Sequence, residues 1–360
     1  MTSNGSNGSG ALTQEAILEA LKDVKDPELH RPLVALGMIQ DVTVEGGSVG
    51  LRVVLTTPAC PFREQVQQEV RDAVMLLPGV DSVDIEMGAN VRASSNEGKA
   101  KPIEGVRNVI AVASNKGGVG KSTVAVNLSV ALAQLGARVG LMDADITGPN
   151  IPTMTGVAAG IQSQEGMHVV ERYGVKVASI GFVLQKGMPV VWRGPMIGSA
   201  VRQLMHDVAW GELDYLVIDL PPGTSDASMS MAQDAAISGA VVVSTPQEVS
   251  IEDATKAVGM FERLNVPVFG IVENMSYFAC PHCGERTEIF GHGGARAAAE
   301  ELGLDFLGEV PLHPAIRQGS DIGAPIVATD PESPQARALI EIAERVAARL
   351  SVLQFVGSVA

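Results

Sequence analysis

Cysteine is scarce in this sequence: only three of the 360 residues are cysteines, too few for a disulfide framework. This scarcity favours a reducing compartment, and we expect a cytoplasmic protein. Basic residues are also few, with 26 against 41 acidic ones, and the formal net charge is −15. Such a surface opposes binding to nucleic acid or to an anionic membrane through bulk positive charge. We therefore expect neither of them as a partner.

Long hydrophobic runs are missing as well. The longest apolar stretches, such as NVIAVAS and GAVVVS, have the length of a strand, whereas about 20 apolar residues are needed to span a bilayer. The N-terminal MTSNGSNGSG contains neither the basic nor the apolar region of a secretory signal. Its Gly, Ser and Asn composition predicts a flexible segment at residues 1–10.

The chain is longer than a single hydrophobic core usually allows, so we expect two domains. The pattern of residues 11–92 predicts a helix, a hairpin, a second helix and a closing strand, which make a small α+β domain. Residues 93–106 are polar and lack periodicity, which indicates a linker. A larger domain is expected over 107–350, followed by a C-terminal tail at 351–360.

In the larger domain, short β-branched runs alternate with helical patterns. The predicted strands are NVIAVAS, ARVGLMDAD, VKVASIGF, DYLVIDLPP, GAVVVSTP, VPVFGIVEN and LDFLGEVP. Strands this apolar, connected through helices, predict an α/β fold with a mostly parallel, doubly wound sheet. Because ligands of such sheets bind beyond the carboxyl ends of the strands, we expect the functional site at that edge.

The stretch VIAVASNKGGVGKST, residues 109–123, passes from a strand through a glycine-rich turn into a helix. Glycine lets backbone N–H groups surround phosphate oxygens, and the helix N-terminus adds its positive dipole end. Lys121 is expected to reach the β- and γ-phosphates, and the Ser122 hydroxyl to ligate Mg²⁺. The strict pattern has glycine at position 115, where this chain has asparagine, which tolerates a left-handed backbone. The predicted nucleotide-binding residues of this loop are Asn115, Lys116, Gly117, Gly118, Val119, Gly120, Lys121, Ser122 and Thr123.

Three aspartates end two of the predicted strands. Asp143 and Asp145 lie in LMDAD, and Asp219 lies in VIDLPPGTSD beside a Pro-Pro-Gly loop. All three are expected at the nucleotide site, with Asp219 in the outer shell of Mg²⁺ and Asp145 orienting the attacking water. The alternative for any one of them is that it merely caps the helix that follows its strand.

Two of the three cysteines, Cys280 and Cys283, form a C-x-x-C clip in FACPHCGERTEIFGHGG. A metal ion or cluster held by thiolates usually has four ligands, and the sequence contains no second clip. His282 and His292 would complete a Cys2His2 zinc site, although their spacing is irregular for a zinc finger. A thioredoxin-type redox pair is a further alternative, but its clip would precede a long helix.

Four motifs together resemble the MinD/ParA type of P-loop ATPase, and specifically the Mrp/ApbC iron–sulfur cluster carriers. They are KGGVGKST, DADITGPNIP, DLPPGTSD and ENMSYFACPHCG, and the resemblance covers about 107–350. In the first domain, DPELHRPLVALGMI and LTTPACPFRE resemble the PaaD-like domain of iron–sulfur assembly proteins. We therefore interpret the larger domain as a P-loop NTPase.

This resemblance implies ATP as the nucleotide, a homodimer, and a labile [4Fe-4S] cluster that is passed to apoproteins, with scaffold proteins as further partners. It also implies that Lys116 neutralises nucleotide charge across the two-fold axis, and that Asn274 contacts adenine with Pro311 nearby. Cys60, in TTPACPF, is assigned a cluster-binding or sulfur-handling role by the same resemblance. The alternative for Cys60 is a small buried residue.

In a two-fold dimer a surface patch meets its own copy. A clip near the axis would therefore supply Cys280 and Cys283 twice and complete a four-thiolate site. The same thiolates would accept Zn²⁺, so the assignment of iron depends on the resemblance.

We thus expect an ATPase that carries an iron–sulfur cluster, with Lys116, Lys121 and Asp145 as catalytic residues. Lys121→Ala is expected to abolish hydrolysis and leave the fold intact, because the lost charge would face phosphates. One alternative is a MinD/ParA-like positioning ATPase, which would need a basic patch or a membrane-targeting helix. The other is a zinc-stabilised nucleotide switch that acts on a protein partner.

Overall fold

The computed structural model describes residues 12–94, 101–145, 148–157, 162–163, 166–167, 169–182, 194–224, 226–280 and 282–357. The flexible segment expected at residues 1–10 lies outside the described residues, as do residues 358–360 of the expected tail. The chain divides into two compact units, of which one is Met1–Asn90 with Ser358–Ala360 and the other is Val91–Gly357.

The smaller unit is an α+β fold built on a three-stranded sheet in its described part. Its elements are α1 Gln14–Ala20, β1 Ile39–Glu45, β2 Ser48–Leu55, α2 Arg63–Met75 and β3 Ser82–Ala89. Strands β1 and β2 form the expected antiparallel hairpin, and β3 pairs with β2 in parallel. The order of helix, hairpin, helix and strand agrees with the sequence pattern.

Periodicity explains why these elements pack together. In α2, Val66, Val70 and Val74 recur every fourth residue, so they share one helix face, and all three are fully buried. Strand β2 alternates buried and partly exposed residues along its length, as expected of a sheet covered on one face. The helix face and the sheet face enclose a single apolar core.

The larger unit is an α/β fold. Its elements are β4 Val109–Ala113, α3 Lys121–Gln134, β5 Val139–Asp143, α4 Ile151–Thr155, β6 Gln162–Ser163, β7 Gly166–Met167, β8 Val170–Arg172, β9 Val175–Ser179, the 3-10 turn Ile180–Phe182, α5 Gly194–His206, β10 Tyr215–Asp219, α6 Asp226–Asp234, β11 Gly239–Ser244, α7 Glu248–Arg263, β12 Val268–Ala279, β13 Arg286–Thr287, α8 Gly294–Glu301, β14 Phe306–Leu312, α9 Pro314–Ile322, α10 Ile326–Thr329 and α11 Pro334–Gly357.

A mostly parallel sheet forms the centre of this unit. Its strand order, within the described residues, is β13-β12-β11-β4-β10-β5-β9-β8, and β14 also pairs with β12. In the part of the sheet that the structure describes, only the short strands β8 and β13 pair antiparallel. Every residue of the central strands β4, β5 and β10 is buried, as is typical of strands covered by helices on both faces. The predicted fold class is confirmed.

The register of the central strands determines where the functional side chains lie. Asp143, the last residue of β5, pairs directly with Asp219, the last residue of β10. Val112 of β4 pairs with Asp219 on the other side, and the glycine-rich loop follows β4 one residue later. Three chain segments with polar residues therefore leave the same edge of the sheet at the same level.

Two observations differ from the sequence-based boundaries. Helix α11 continues to Gly357, seven residues beyond the expected end of the domain at 350, and Phe355 within that extension is buried. Ile103, in the expected linker, is also buried and belongs to the core of the larger unit. Among the described residues, no helix is both long and apolar enough to cross a membrane.

Candidate functional site

The glycine-rich loop between β4 and α3 has a backbone that only glycine adopts readily. Gly118 and Gly120 both have φ of +84°, in the left-handed region that side chains disfavour. A Cβ atom at position 120 would also lie 2.0 Å from the Nδ2 atom of Asn274. The loop therefore needs glycine at 120 for conformation and for space, and its shape is that of a phosphate-binding turn.

Lys121 and Ser122, the first two residues of α3, both contact Asp219. The Lys121 ammonium donates to Asp219 Oδ1 at 2.5 Å, and the Ser122 hydroxyl donates to Oδ2 at 2.6 Å. The Lys121 side chain is 6% exposed and that of Asp219 is fully buried. Burial raises the pKa of the Asp219 carboxyl, and the Lys121 charge opposes that rise. The serine hydroxyl and the carboxylate offer neighbouring hard oxygen donors, which fit Mg²⁺.

This loop opens into a cavity of about 340 Å³. The cavity brings together seven of the nine predicted loop residues with Asp145 and Pro222, the latter from the Pro-Pro-Gly loop. Its lining residues are Ser114, Lys116, Gly117, Gly118, Gly120, Lys121, Ser122, Thr123, Asp145, Gly148, Asn150, Met154 and Pro222. Of the other predicted residues, Asn115, Val119, Asp143 and Asp219 are not part of this lining.

Asn115 instead ties the loop to helix α7. Its amide nitrogen donates to Asp253 Oδ1 at 2.9 Å, and Lys256 donates to the same oxygen at 3.1 Å. The hydrogen bond from Lys256 lowers the pKa of Asp253, and the one from Asn115 adds to that effect. Glycine, which the strict pattern has at position 115, could not make this side-chain hydrogen bond, whereas asparagine does. The sequence pattern did not single out Asp253, because a lone aspartate within a helix has no distinctive spacing.

Asp143 and Asp145 have different surroundings although they are two residues apart. Asp143 is fully buried and accepts hydrogen bonds from the Ser179 hydroxyl at 2.9 Å and from the backbone N–H of Asp145 at 3.2 Å. Burial, and then the charge of Asp219, raise the pKa of Asp143 to about 8. Asp145 lines the cavity and accepts from the Gly148 N–H at 3.3 Å. The geometry thus makes Asp145 available to a ligand and assigns Asp143 to holding the loop.

A second cavity, of about 350 Å³, adjoins the first and shares Thr123, Asn150 and Met154 with it. Asn274 and Pro311, the two residues expected near adenine, both line this second cavity. The Asn274 amide donates to the Val119 carbonyl oxygen at 2.8 Å, so it is held against the phosphate loop. The remaining residues that line the second cavity are Thr153, Met275, Leu312, His313, Ile316, Arg317, Ser320 and Asp321.

Lys116 is the exposed lysine of the loop, whereas Lys121 is buried. The backbone carbonyl of Lys116 accepts a hydrogen bond from the Ser114 hydroxyl at 3.0 Å, which fixes the peptide while the side chain projects outward. The two lysines are therefore not equivalent. Lys121 is buried in an ion pair with Asp219 of its own chain, whereas the exposed Lys116 can reach a neighbouring molecule.

The clip lies at the end of β12, in the turn that leads to β13. The Cys280 N–H donates to the Glu285 carbonyl at 2.9 Å, and the Gly284 N–H donates to the Cys280 carbonyl at 2.8 Å. Cys280 is half-buried and Cys283 is exposed. The backbone N–H groups of Cys283 and His282 donate to the Cys280 sulfur and lower the pKa of that thiol, which favours the thiolate that binds metal.

The chain itself supplies no complete metal site in its described part. No group of three or more His, Cys, Asp or Glu side chains there is arranged to hold an ion. His292, the residue considered as a zinc ligand, has its Nδ1 atom 3.0 Å from the Arg286 guanidinium and 3.2 Å from the Ser276 hydroxyl. Its surroundings place it in a polar network with Arg286, which does not favour the Cys2His2 zinc interpretation.

The smaller unit contains the third cysteine. Cys60 is 8% exposed and belongs to the apolar core of that unit. This environment is typical of a structural cysteine and lends no support to the sulfur-handling role. Asp26 accepts hydrogen bonds from the N–H groups of Glu28 and Leu29 at 3.0 and 2.8 Å, so it closes the turn of DPEL.

Glu28 is expected to make the stability of the smaller unit depend on pH. Burial, and then the charge of Asp26, raise the pKa of Glu28 to about 7 from its ordinary 4.5. Between these values the folded unit retains a proton that the unfolded chain has lost, so the free energy of unfolding falls as pH rises. Glu28→Gln should remove this pH dependence of the free energy of unfolding.

Hydrogen exchange of the amides in residues 12–90, measured from pH 5 to pH 8 and corrected for intrinsic exchange, would test this expectation. Glu45→Gln, which changes an exposed glutamate, should keep the wild-type dependence. A Glu28→Gln protein that also kept it would contradict the assignment.

Comparison with known families agrees with this geometry. The family model described as NUBPL iron-transfer P-loop NTPase matches residues 105–347, which is more than half of the chain. The chain belongs to this P-loop NTPase family. The model for iron-sulfur cluster assembly proteins matches residues 14–86, in the smaller unit. Both parts of this P-loop NTPase therefore match families described by iron or iron–sulfur handling.

Several curated relatives are similar over nearly the whole chain. The chain is 47% identical to the iron-sulfur cluster carrier protein of Synechocystis, over 96% of this chain and 100% of that protein. It is 48% identical to the protein of that name in Deinococcus radiodurans, over 94% of this chain and 96% of that one. The iron-sulfur cluster transfer protein NUBPL of Mus musculus is 51% identical, over 70% of this chain and 80% of that protein.

Solved structures support the fold of the NTPase unit. The nucleotide-binding protein of Archaeoglobus fulgidus in complex with ADP is 43% identical, with a TM-score of 0.56, over 65% of this chain and 92% of that chain. The septum site-determining protein MinD of Pyrococcus horikoshii, complexed with Mg-ADP, is 25% identical with a TM-score of 0.51, over 66% and 95% of the two chains. The likeness of this P-loop NTPase to MinD confirms the fold inferred from the motifs.

Proposed function

We propose that this P-loop NTPase is an ATP-dependent carrier that binds a [4Fe-4S] cluster at a homodimer interface and transfers it to apoproteins. The carrier names of its relatives support the cluster as cargo, and the ADP complex of the Archaeoglobus protein supports an adenine nucleotide. Cys60, Cys280 and Cys283, which all lie in the described part of the chain, form no disulfide there. A thiolate-bound cargo needs reduced cysteines, so we place the activity in the cytoplasm.

The observation that carries this proposal is that one strand joins the two sites. Strand β12 contains Asn274, which lines the second cavity, and ends one residue before Cys280. Met275, between them, has a positive φ of 56°, and the pairing of β12 with β14 shifts register between Asn274 and Phe278. A nucleotide that repositions Asn274 would therefore act on the strand that holds the clip.

The residues of the first cavity suit phosphoryl transfer. Lys121 supplies charge to the phosphates from its own chain, and Ser122 with Asp219 would hold Mg²⁺, which neutralises phosphate charge when bound. Asp145 lines the cavity with a carboxylate that can orient water. Lys116 is exposed, and in the proposed dimer it would act on the nucleotide of the second subunit, as the deviant loop of the family implies.

The clip has two thiolates, whereas a cluster usually has four ligands, and a homodimer would supply the other two. It offers Cys280 and Cys283, and the described residues of the chain contribute no third ligand beside them. Two copies related by a two-fold axis would supply four thiolates, which is the ligand number of a [4Fe-4S] cluster. Because the clip is partly exposed, such a cluster would be accessible to recipient apoproteins and to the scaffold that loads it.

Anaerobic reconstitution with iron and sulfide tests the proposal. We expect about four iron and four sulfide ions per dimer, a dimeric mass in multi-angle light scattering, and faster transfer to an apoprotein with ATP than without. A parallel reconstitution with Zn²⁺ shows whether the protein retains zinc in preference to the iron–sulfur cluster. Preferential retention of Zn²⁺, or a monomer that holds a full cluster, would overturn the proposal.

Asp145→Asn is expected to bind ATP normally and to hydrolyse it roughly a hundredfold to ten-thousandfold more slowly. The amide keeps the oxygen that accepts from the Gly148 N–H, so the loop should persist, but an amide orients water poorly. Calorimetric ATP affinity and steady-state turnover, measured on one preparation, separate binding from chemistry. Wild-type turnover in this variant would remove Asp145 from the catalytic residues.

A further inference from the structure

The clip lies on a short hairpin at the edge of the described sheet. In this clip hairpin, Arg286 and Thr287 of β13 pair with the last two residues of β12, and Cys280 and Cys283 lie in the turn between the strands. Strand β13 has two residues, both of them exposed, and it stands at the end of the described strand order. Backbone pairing over two residues fixes a strand weakly. The position of the clip therefore depends on side-chain contacts.

Arg286 connects the clip hairpin to two longer strands. Its guanidinium carbon lies over the Tyr277 ring of β12, 3.8 Å from the centroid, and its Nη2 atom donates to Glu309 Oε2 of β14 at 3.1 Å. The His292 ring lies beside the same nitrogen, with Nδ1 at 3.0 Å. A planar guanidinium can stack on an aromatic ring and donate in its own plane at the same time. Arg286 is thus fixed both by stacking and by charge.

Glu309 receives a second arginine, which makes a matched comparison possible. The Glu309 side chain is 19% exposed, and a carboxylate so far buried needs positive partners. Arg296 of α8 donates to its Oε1 atom at 3.4 Å and lies over the Phe306 ring, 4.2 Å from the centroid. Arg286 and Arg296 therefore share one carboxylate and one kind of stacking. They differ in that Arg286 belongs to the clip hairpin and Arg296 to a helix.

We propose that Arg286 is a positioning residue for cluster binding, which fixes the clip hairpin on β14 through Glu309. The Cys280 N–H donates to the carbonyl of Glu285, the residue before Arg286, so a shift of Arg286 would move the clip with it. Four thiolates from two subunits can bind one cluster only if each hairpin keeps its cysteines in place. This inference rests on the proposed function, because it takes the cluster as the cargo of the clip.

Hydrogen exchange of the full chain without metal tests the positioning of the hairpin by itself. Arg286→Gln should speed exchange of the Cys280 and Gly284 amides, which close the turn, about three- to tenfold, as expected for one lost, partly exposed charged hydrogen bond. Arg286→Lys keeps the charge beside Glu309 and should restore most of the protection. Arg296→Gln should exchange like wild type at these amides. Unchanged exchange in Arg286→Gln would overturn the inference.

The reconstituted protein supplies the second measurement. An iron chelator should bleach the charge-transfer absorption of the cluster about three- to tenfold faster in Arg286→Gln than in wild type, and Arg286→Lys should restore most of the difference. Arg296→Gln should release its cluster at the wild-type rate. Faster hairpin exchange without faster cluster release would overturn the positioning role. A wild-type protein that retains no iron or sulfide would instead refute the proposed function, whereas the exchange experiment, which uses no metal, would be unaffected.

Discussion

Replacing Lys121 with alanine is expected to lower ATP hydrolysis by roughly a hundredfold to thousandfold and to destabilise the NTPase unit. The catalytic loss follows from removing the buried loop lysine that lines the phosphate cavity of its own chain. Cluster transfer should fall with hydrolysis if the two are coupled as proposed. Turnover near the wild-type value would exclude Lys121 from the reaction.

The loss of stability follows from the burial of Lys121 against Asp219, which the sequence-based expectation of an intact fold did not take into account. The Lys121 ammonium is 6% exposed and pairs at 2.5 Å with Asp219, which is completely buried. Removing one partner of a buried ion pair leaves an uncompensated charge and costs about 3–5 kcal/mol. We therefore expect a clearly lower free energy of unfolding for Lys121→Ala in urea.

Two further variants separate catalysis from stability. Lys121→Ala combined with Asp219→Asn removes both charges, so it should recover much of the lost stability without recovering hydrolysis. Lys116→Ala changes an exposed lysine of the same loop and should unfold like wild type while its hydrolysis falls, because the charge it would bring to the partner's nucleotide is lost. A double variant as unstable as Lys121→Ala would contradict the ion-pair explanation.

Cys280→Ala is expected to abolish stable cluster binding. In the proposed dimer a single substitution removes two of the four thiolates, since each subunit contributes the same pair. Cys280 is also the thiol whose pKa is lowered by the N–H groups of Cys283 and His282. After anaerobic reconstitution and desalting, the variant should retain little iron or sulfide and should lack the charge-transfer absorption of the cluster.

The third cysteine provides a matched control. Cys60→Ala removes one thiol from the core of the smaller unit and should keep the full iron content per dimer. His292→Ala tests the zinc alternative in the same assay and should also keep its cluster. A Cys280→Ala protein with undiminished iron and sulfide, or a Cys60→Ala protein that loses them, would show that the clip is not the site.

Much of the nucleotide site was predictable because its signals are local. Glycine at 118 and 120, followed at once by Lys121 and Ser122, specifies a turn and a helix start within six residues. The apolar strands predicted the parallel sheet, and the sheet predicted the edge where Asp145 and Asp219 lie. In each case a short stretch contains both the residue and the reason for its conformation.

Other features depend on residues far apart in the chain. Asn115 donates a hydrogen bond to Asp253, which lies 138 residues later in the sequence. Asn274 donates to the Val119 carbonyl, 155 residues earlier. No spacing rule connects such partners, so their roles became visible only when the helices and strands were packed.

The sequence by itself determined the two-domain plan, the parallel sheet, the phosphate loop and the clip, because periodicity and glycine placement act over a few residues. Tertiary structure alone decided that Asp143 is buried behind the cavity, that Asp145 faces it, and that Lys121 is locked to Asp219. Burial and charge pairing are properties of the assembled core. Asp143 and Asp145 come from the end of the same predicted strand, yet their environments differ. Asp143 is buried with a pKa of about 8, whereas Asp145 lines the cavity where a ligand would bind.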